Sequence, residues 1–301
     1  MNNANEQSVL SKEQIDSIIA LYSNGQFQEV IDTIKNLNES HPNVPLLFNI
    51  IGASYKSLGQ LDGAVQMFEK AVAIKPDYAE AHKNLGIVLK DLGKFDSAVI
   101  CFKESIALEP NNFETHYNLA VTFKIMKHLD LAVKSYEKVV SIKPDFAAAH
   151  NNLGNAFKDL GRLDDAIKSY KKVIALKPNL PEPYNNLGNA FKDLNQLDNA
   201  VKSYKNAIVI KPDFAEAHNN LGNAFKDLEL LDNAVQSYEK AIDINKNFAE
   251  AYFNLGGVLK LLKQLDDSVK AYKNAIVIKP DFAEAHNNLG SCLTAVSYTH
   301  L

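Results

Sequence analysis

Seven prolines, Pro42, Pro76, Pro110, Pro144, Pro178, Pro212 and Pro280, stand on a 34-residue grid, and Lys246 fills its one vacant node. Tyr204–Gly222 recurs without change as Tyr272–Gly290. A period of this size constrains the fold more than any other feature. Each copy must be the same supersecondary unit, and each must bury its apolar face against its neighbours. A proline in all but one copy, with apolar residues at helical spacing between prolines, predicts short helices rather than one long one.

With the proline counted as position 32, full units span 45–78, 79–112, 113–146, 147–180, 181–214, 215–248 and 249–282. Position 8 is then Gly52, Gly86, Ala120, Gly154, Gly188, Gly222 and Gly256. Position 20 is Ala64, Ala98, Ala132, Ala166, Ala200, Ala234 and Ser268. Position 24 is aromatic in every unit: Phe68, Phe102, Tyr136, Tyr170, Tyr204, Tyr238 and Tyr272. Small residues let two helices approach closely, and the large ones at positions 7, 11 and 24 fill the space beside them. The spacing predicts two antiparallel helices per unit.

Each unit carries its own punctuation. Asp77 and Glu80, Asn111 and Glu114, Asn179 and Glu182, Asp213 and Glu216, Asn247 and Glu250, and Asp281 and Glu284 have capping-box spacing. An aspartate, from Asp62 to Asp266, opens each second helix and suits its dipole. Residues 11–44 follow the same register in worn form, with Gly25, Val30, Ile34 and Pro42 at a turn, two core positions and the stop. They are expected to form a degenerate capping repeat behind a polar tail at 1–10. Residues 283–301 supply the first helix of a further unit and then leave the pattern. The expectation there is a partner, or more chain, over the open face.

These positions resemble the tetratricopeptide repeat family over almost the whole chain. The resemblance implies an all-α, right-handed α-solenoid superhelix of helix-turn-helix repeats, with the first helices lining its inner groove. On a helical wheel, positions 4, 7, 8 and 11 share one side, and 2, 6, 9 and 13 the other. Position 6 is Ile50 and then Asn84, Asn118, Asn152, Asn186, Asn220, Asn254 and Asn288; position 9 adds Asn155, Asn189 and Asn223. The row before position 7 is similar to that of O-linked N-acetylglucosamine transferases. There it implies an inner ladder that holds the backbone of extended substrate peptides. A primary amide both donates and accepts, so it can pair with a peptide unit in both directions. First helices about 8–10 Å apart would meet roughly every third residue of an extended chain.

The expectation is therefore a non-catalytic module that binds protein or extended peptide in its groove. The runner-up is the substrate-recruiting part of a larger glycosyltransferase or sulfotransferase. The neighbouring Asn49, Asn151, Asn185, Asn219 and Asn287 at position 5 read as tolerated exposed residues copied by duplication. The chaperone-tail clamp of some family members is not matched, because Ile87, Ala148 and Asn152 stand where an asparagine and two basic residues belong.

Other candidates carry less. His82, His116, His150, His218 and His286 share position 4, but a helix spacing of about 8–10 Å is too wide for two rings on one zinc. A packing role is expected, since Phe48, Tyr184 and Tyr252 fill the same slot. Lysine at position 12, from Lys56 to Lys260, suits the end of a helix dipole. No phosphate loop, nucleophile triad or isolated carboxylate pair is present, so no catalytic residue, cofactor or small-molecule substrate is expected. A net charge of −4 argues against a general nucleic-acid or anionic-membrane binder. No apolar run approaches the roughly 18 residues of a membrane span, and the start lacks an apolar signal core. Cys101 and Cys292 suggest no disulfide framework. A cytoplasmic location is the resulting expectation.

Overall fold

The computed structural model describes the backbone of residues 10–299 and the side chains of residues 10–295. The expected polar tail lies outside the described residues except for Leu10, as do the last two residues of the expected partial repeat. All regular structure among the described residues is helical. The chain divides into two compact units, residues 1–149 and 150–301.

The first unit holds α1 (Lys12–Ser23), α2 (Phe27–Ser40), α3 (Pro45–Ser57), α4 (Leu61–Ile74), α5 (Ala79–Asp91), α6 (Phe95–Leu108), α7 (Phe113–Ile125) and α8 (Leu129–Ile142). From His150 onward, α9 (Ala147–Asp159) belongs to the second unit. There follow α10 (Leu163–Leu176), α11 (Pro181–Asp193), α12 (Leu197–Ile210), α13 (Ala215–Asp227), α14 (Leu231–Ile244), α15 (Ala249–Leu261), α16 (Leu265–Ile278) and α17 (Ala283–Thr299). Successive helices from α1 to α8 and from α10 to α17 pack on one another, and first helices of successive repeats also touch, as α3 with α5 and α13 with α15. This is an all-α solenoid built of helix pairs.

The glycine–aromatic pairing explains how tightly each pair closes. A Cβ on Gly188 would lie 2.5 Å from the ring of Tyr204, and one on Gly222 2.6 Å from Tyr238. Those rings are fully buried. Ser268, at the position that is otherwise alanine, remains small and donates its hydroxyl to Gly256 O at 2.7 Å. At the start of the chain, Ile18, Val30, Ile31, Ile34, Leu47 and Ile51 form one apolar cluster.

The turn after each first helix needs a left-handed residue. Gly59, Gly93 and Gly161 supply it, and so do Lys127, Asn195, Glu229 and Lys263, all at positive φ. The expected aspartates do open the second helices, as Asp62 and Asp232 show.

The expected capping boxes do not form. Helix α5 is capped by Tyr78, α11 by Leu180, α13 by Phe214 and α15 by Phe248, none with a side-chain cap bond. The acidic or amide residue sits one place too early, which puts its glutamate at the second helical position rather than the third. Aromatic caps are held instead by packing, as with Lys211 Nζ 5.3 Å from the centroid of Phe214. Side-chain capping occurs where a short polar side chain takes the cap: Asn112 accepts from Thr115 N, and Ser11 with Gln14 makes a full box.

Candidate functional site

The asparagines of the first helices are bonded to one another across repeats. Asn84 donates through Nδ2 to Asn49 Oδ1 at 3.0 Å in the first unit. In the second, Asn186 donates to Asn151 at 3.4 Å, Asn220 to Asn185 at 3.1 Å and Asn254 to Asn219 at 3.0 Å. A position-6 amide thus leans onto the position-5 amide of the repeat before it. Where position 5 is Lys83, which cannot accept, Asn118 turns to its own helix and donates to Glu114 O at 2.9 Å. Lys83 in turn pairs with Glu114 at 3.2 Å.

For Asn49, Asn185 and Asn219 this overturns the reading as tolerated surface residues, whereas Asn287 is exposed as that reading expects. Asn49, Asn185 and Asn219 are 6%, 2% and 6% exposed. Each is a buried polar group that needs a partner, and the next repeat supplies it. Asn185 also donates to Glu216 Oε1 at 3.3 Å.

The position-9 asparagines have a partner of a different kind. Tyr170 donates to Asn155 Oδ1 at 2.7 Å, Tyr204 to Asn189 at 2.7 Å and Tyr238 to Asn223 at 2.8 Å. Burial first, and then the carboxylates of Asp193 and Asp227, push the Tyr204 phenol upward, so it remains a donor. Where position 24 is Phe68 or Phe102, position 9 is Ala53 or Ile87 and no acceptor is needed.

All seven position-6 asparagines, Asn84, Asn118, Asn152, Asn186, Asn220, Asn254 and Asn288, are half-buried, as are Asn155, Asn189 and Asn223. In the second unit the amide bridges align α11, α13 and α15 along one face.

Position-4 histidines serve the chain itself. The Nε2 of His82, His116, His218 and His286 lies 2.9–3.0 Å from the carbonyl of Pro76, Pro110, Pro212 and Pro280 respectively, so each ring fastens the preceding turn. No group of three or more His, Cys, Asp or Glu among the described residues is placed to hold a metal. Position-12 lysines end the first helices and reach the next repeat: Lys90 to Asn118 Oδ1 at 3.2 Å and Lys260 to Ser291 Oγ at 2.9 Å. Burial, with Glu69 nearby, pushes the Cys101 thiol up to about 11, which keeps it from serving as a thiolate. No helix among the described residues is long and apolar enough to cross a membrane.

This geometry belongs to repeat proteins of paired helices, and comparison with known families agrees. The TPR repeat profile matches residues 52–93, 123–161, 154–195, 188–229 and 258–293, and the tetratricopeptide repeat profile matches 79–112 and 215–248. The chain belongs to the tetratricopeptide repeat family. Among curated proteins it is similar to the peroxisomal targeting signal receptor of Kluyveromyces lactis, 36% identical over 66 residues, or 22% of this chain and 12% of the receptor. It is also similar to that receptor from Candida albicans, 30% identical over 83 residues, or 28% of this chain and 14% of the receptor. The chain therefore spans only a small part of these relatives.

Among solved structures it resembles MamA, with 28% identity, a TM-score of 0.51, and coverage of 55% of this chain and 97% of that one. The Cut9–Hcn1 assembly of the APC/C shares the fold at 20% identity and TM-score 0.56, covering 97% of this chain and 57% of that one. YrrB, described as a TPR protein with an unusual peptide-binding site, shares it at 19% identity and TM-score 0.50, covering 62% of this chain and 96% of that one.

Proposed function

We propose that this chain is a protein-interaction module that holds an extended polypeptide along the face carrying the position-6 asparagines. The observation that supports this most is the amide bridging itself. In Asn186, Asn220 and Asn254 one N–H is spent on the neighbouring repeat. A primary amide has a second N–H and a carbonyl oxygen, and on these half-buried groups both remain for a ligand backbone. The bridge also fixes the amide's orientation before the ligand arrives, which lowers the ordering cost of binding. Asn84, bridged in the same way to Asn49, extends the set; Asn118, held by Glu114 O and Lys90, keeps its second N–H, Asn152 and Asn288 continue the row, and Asn155, Asn189 and Asn223 add their Nδ2 groups. The partial likeness to targeting-signal receptors is in keeping with a peptide partner.

The test separates holding a ligand from holding the fold. Alanine at Asn186, Asn220 and Asn254 together should weaken capture of a labelled extended peptide about tenfold or more, at roughly 0.5–1.5 kcal/mol per bond. Alanine at Asn185 and Asn219 removes two of the same bridges from the buried side but keeps the ligand-facing amides, so it should lower stability and weaken capture clearly less than the triple variant does. Equal capture by wild type and the triple variant rejects the reading. The likeness of the amide row to that of O-linked N-acetylglucosamine transferases supports a second reading, the substrate-holding part of a larger transferase. Sequencing the natural reading frame beyond Leu301 tests that one.

A further inference from the structure

The amide row changes character at the start of the chain. Position 6 of the 45–78 repeat is Ile50 instead of asparagine. There the first unit has a cavity of about 290 Å³, lined among others by Ile18, Ile19 and Tyr22 of α1, Ile50 of α3, and Glu80 and Asn84 of α5. Three features set it apart from a packing gap. Its floor belongs to the core through Ile18, which is 1% exposed, while Ile19 at the mouth is 52% exposed. Its one charged lining residue, Glu80, is exposed and makes no ion pair among the described residues. Lys83, one turn along α5, pairs with Glu114 at 3.2 Å and not with Glu80.

We infer that this cavity is a side-chain socket, resting on the groove reading above. It takes an aliphatic or aromatic side chain of the bound polypeptide, with a lysine or arginine beside it that pairs with Glu80. Size and chemistry both favour that occupant. A cavity of about 150 Å³ admits a benzene ring, and whole drug-sized ligands need about 300–1,000 Å³. This space therefore suits one large side chain or two small ones. The apolar walls reward burial of hydrocarbon, and the rim carboxylate favours a cation over an anion. Asn84, tied to Asn49 at 3.0 Å, stands where the socket meets the first amide of the row. The backbone of a ligand leaving the socket would thus pass directly onto it. The amides recognise backbone, which every sequence has; the socket is what would give this module a sequence preference.

The test uses the full chain and fluorescence anisotropy with labelled serine–alanine peptides of roughly twelve residues, enough to span several first helices at about 3.3 Å per residue. One carries only alanine at its centre, one a leucine–lysine pair and one a leucine–glutamate pair. The leucine–lysine peptide should bind about tenfold more tightly than the alanine peptide. It should bind about threefold more tightly than the leucine–glutamate peptide. Ile19→Ser should abolish the first preference, and Glu80→Lys should reverse the second. Both residues are exposed, so both variants should keep the wild-type circular dichroism. Asn118→Ala should weaken all three peptides alike. Uniform affinities that still fall in Asn118→Ala would overturn the socket and leave the groove reading standing. Preferences that survive both socket variants would also overturn it. Failure of all three peptides to bind would overturn both.

Discussion

The repeats at 113–146 and 215–248 solve the same packing problem with different chemistry. In the second, Asn219 is buried and accepts from Asn254, Asn220 donates to Asn185, and Tyr238 donates to Asn223. In the first, Tyr117 replaces the position-5 asparagine, Val121 the position-9 asparagine and Ala120 the glycine. Aromatic edges take over: Tyr117 meets Phe146 at 5.2 Å and Tyr136 at 5.9 Å, and Phe113 meets Phe146 at 5.5 Å. The aromatic version needs no amide acceptor at position 5, but it gives up the position-5 amide on which a position-6 partner can rest. The amide version carries a stability risk, because every buried amide must find its partner, and it gains a fixed row of polar groups.

The steepest way to break the comparison is to crowd the 215–248 repeat. Gly222→Val should cost about 3 kcal/mol, because even a Cβ there lies 2.6 Å from Tyr238. Ala120→Gly in the aromatic repeat should change the urea midpoint far less. Next comes the orphaned hydroxyl. Asn223→Ala leaves Tyr238 without its acceptor and should cost about 2 kcal/mol. Adding Tyr238→Phe should recover most of that loss, as a double-mutant cycle would show, since Ala53 with Phe68 is the same solution in this chain. Asn219→Ala should cost about 1 kcal/mol by removing one buried bridge.

Smaller still is the turn. Glu229 holds φ of 59°, and Glu229→Gly should stabilise by up to about 1 kcal/mol. A thermal melt would show it.

The smallest effect concerns pH. Burial holds His218 below the usual histidine range, against its bond to Pro212. The folded state therefore binds this proton less readily than the unfolded one. Stability is full above the unfolded pKa of about 6.5 and falls as pH drops below it. Urea midpoints at about pH 7.5 and about pH 5 should differ slightly less in His218→Tyr, a ring already used at this position by Tyr184 and Tyr252.

The fold was legible because period, small residues and rings all express one constraint, the close approach of two helices. Gly188 and Tyr204 announce each other at a fixed spacing. The bonding roles of the asparagines were harder to read. Asn185 and Asn186 are adjacent and chemically identical, yet one is buried as an acceptor and the other leans out as a donor. That difference depends on a contact 35 residues away. The partner of Asn189 was visible in principle, because asparagine at position 9 occurs only in repeats with tyrosine at position 24. The helix caps lie one residue away from the expected place because the following residue takes the cap, an aromatic at Tyr78, Phe214 and Phe248 and a leucine at Leu180, and propensity for polar caps gives no warning of it. The socket at Ile50 was legible only as a break in the asparagine row.

The central claim is that the bridged position-6 amides, Asn84, Asn186, Asn220 and Asn254, look two ways, one N–H to the neighbouring repeat and the rest to a ligand. It is tested most directly by the side-chain amide resonances of a ¹⁵N-labelled chain, assigned by single substitution and titrated with an extended peptide. The Nδ2 signals of Asn186, Asn220 and Asn254 should move on binding, while those of the buried Asn185 and Asn219 should move much less. Shifts confined to second-helix residues, with the position-6 amides unmoved, would contradict it.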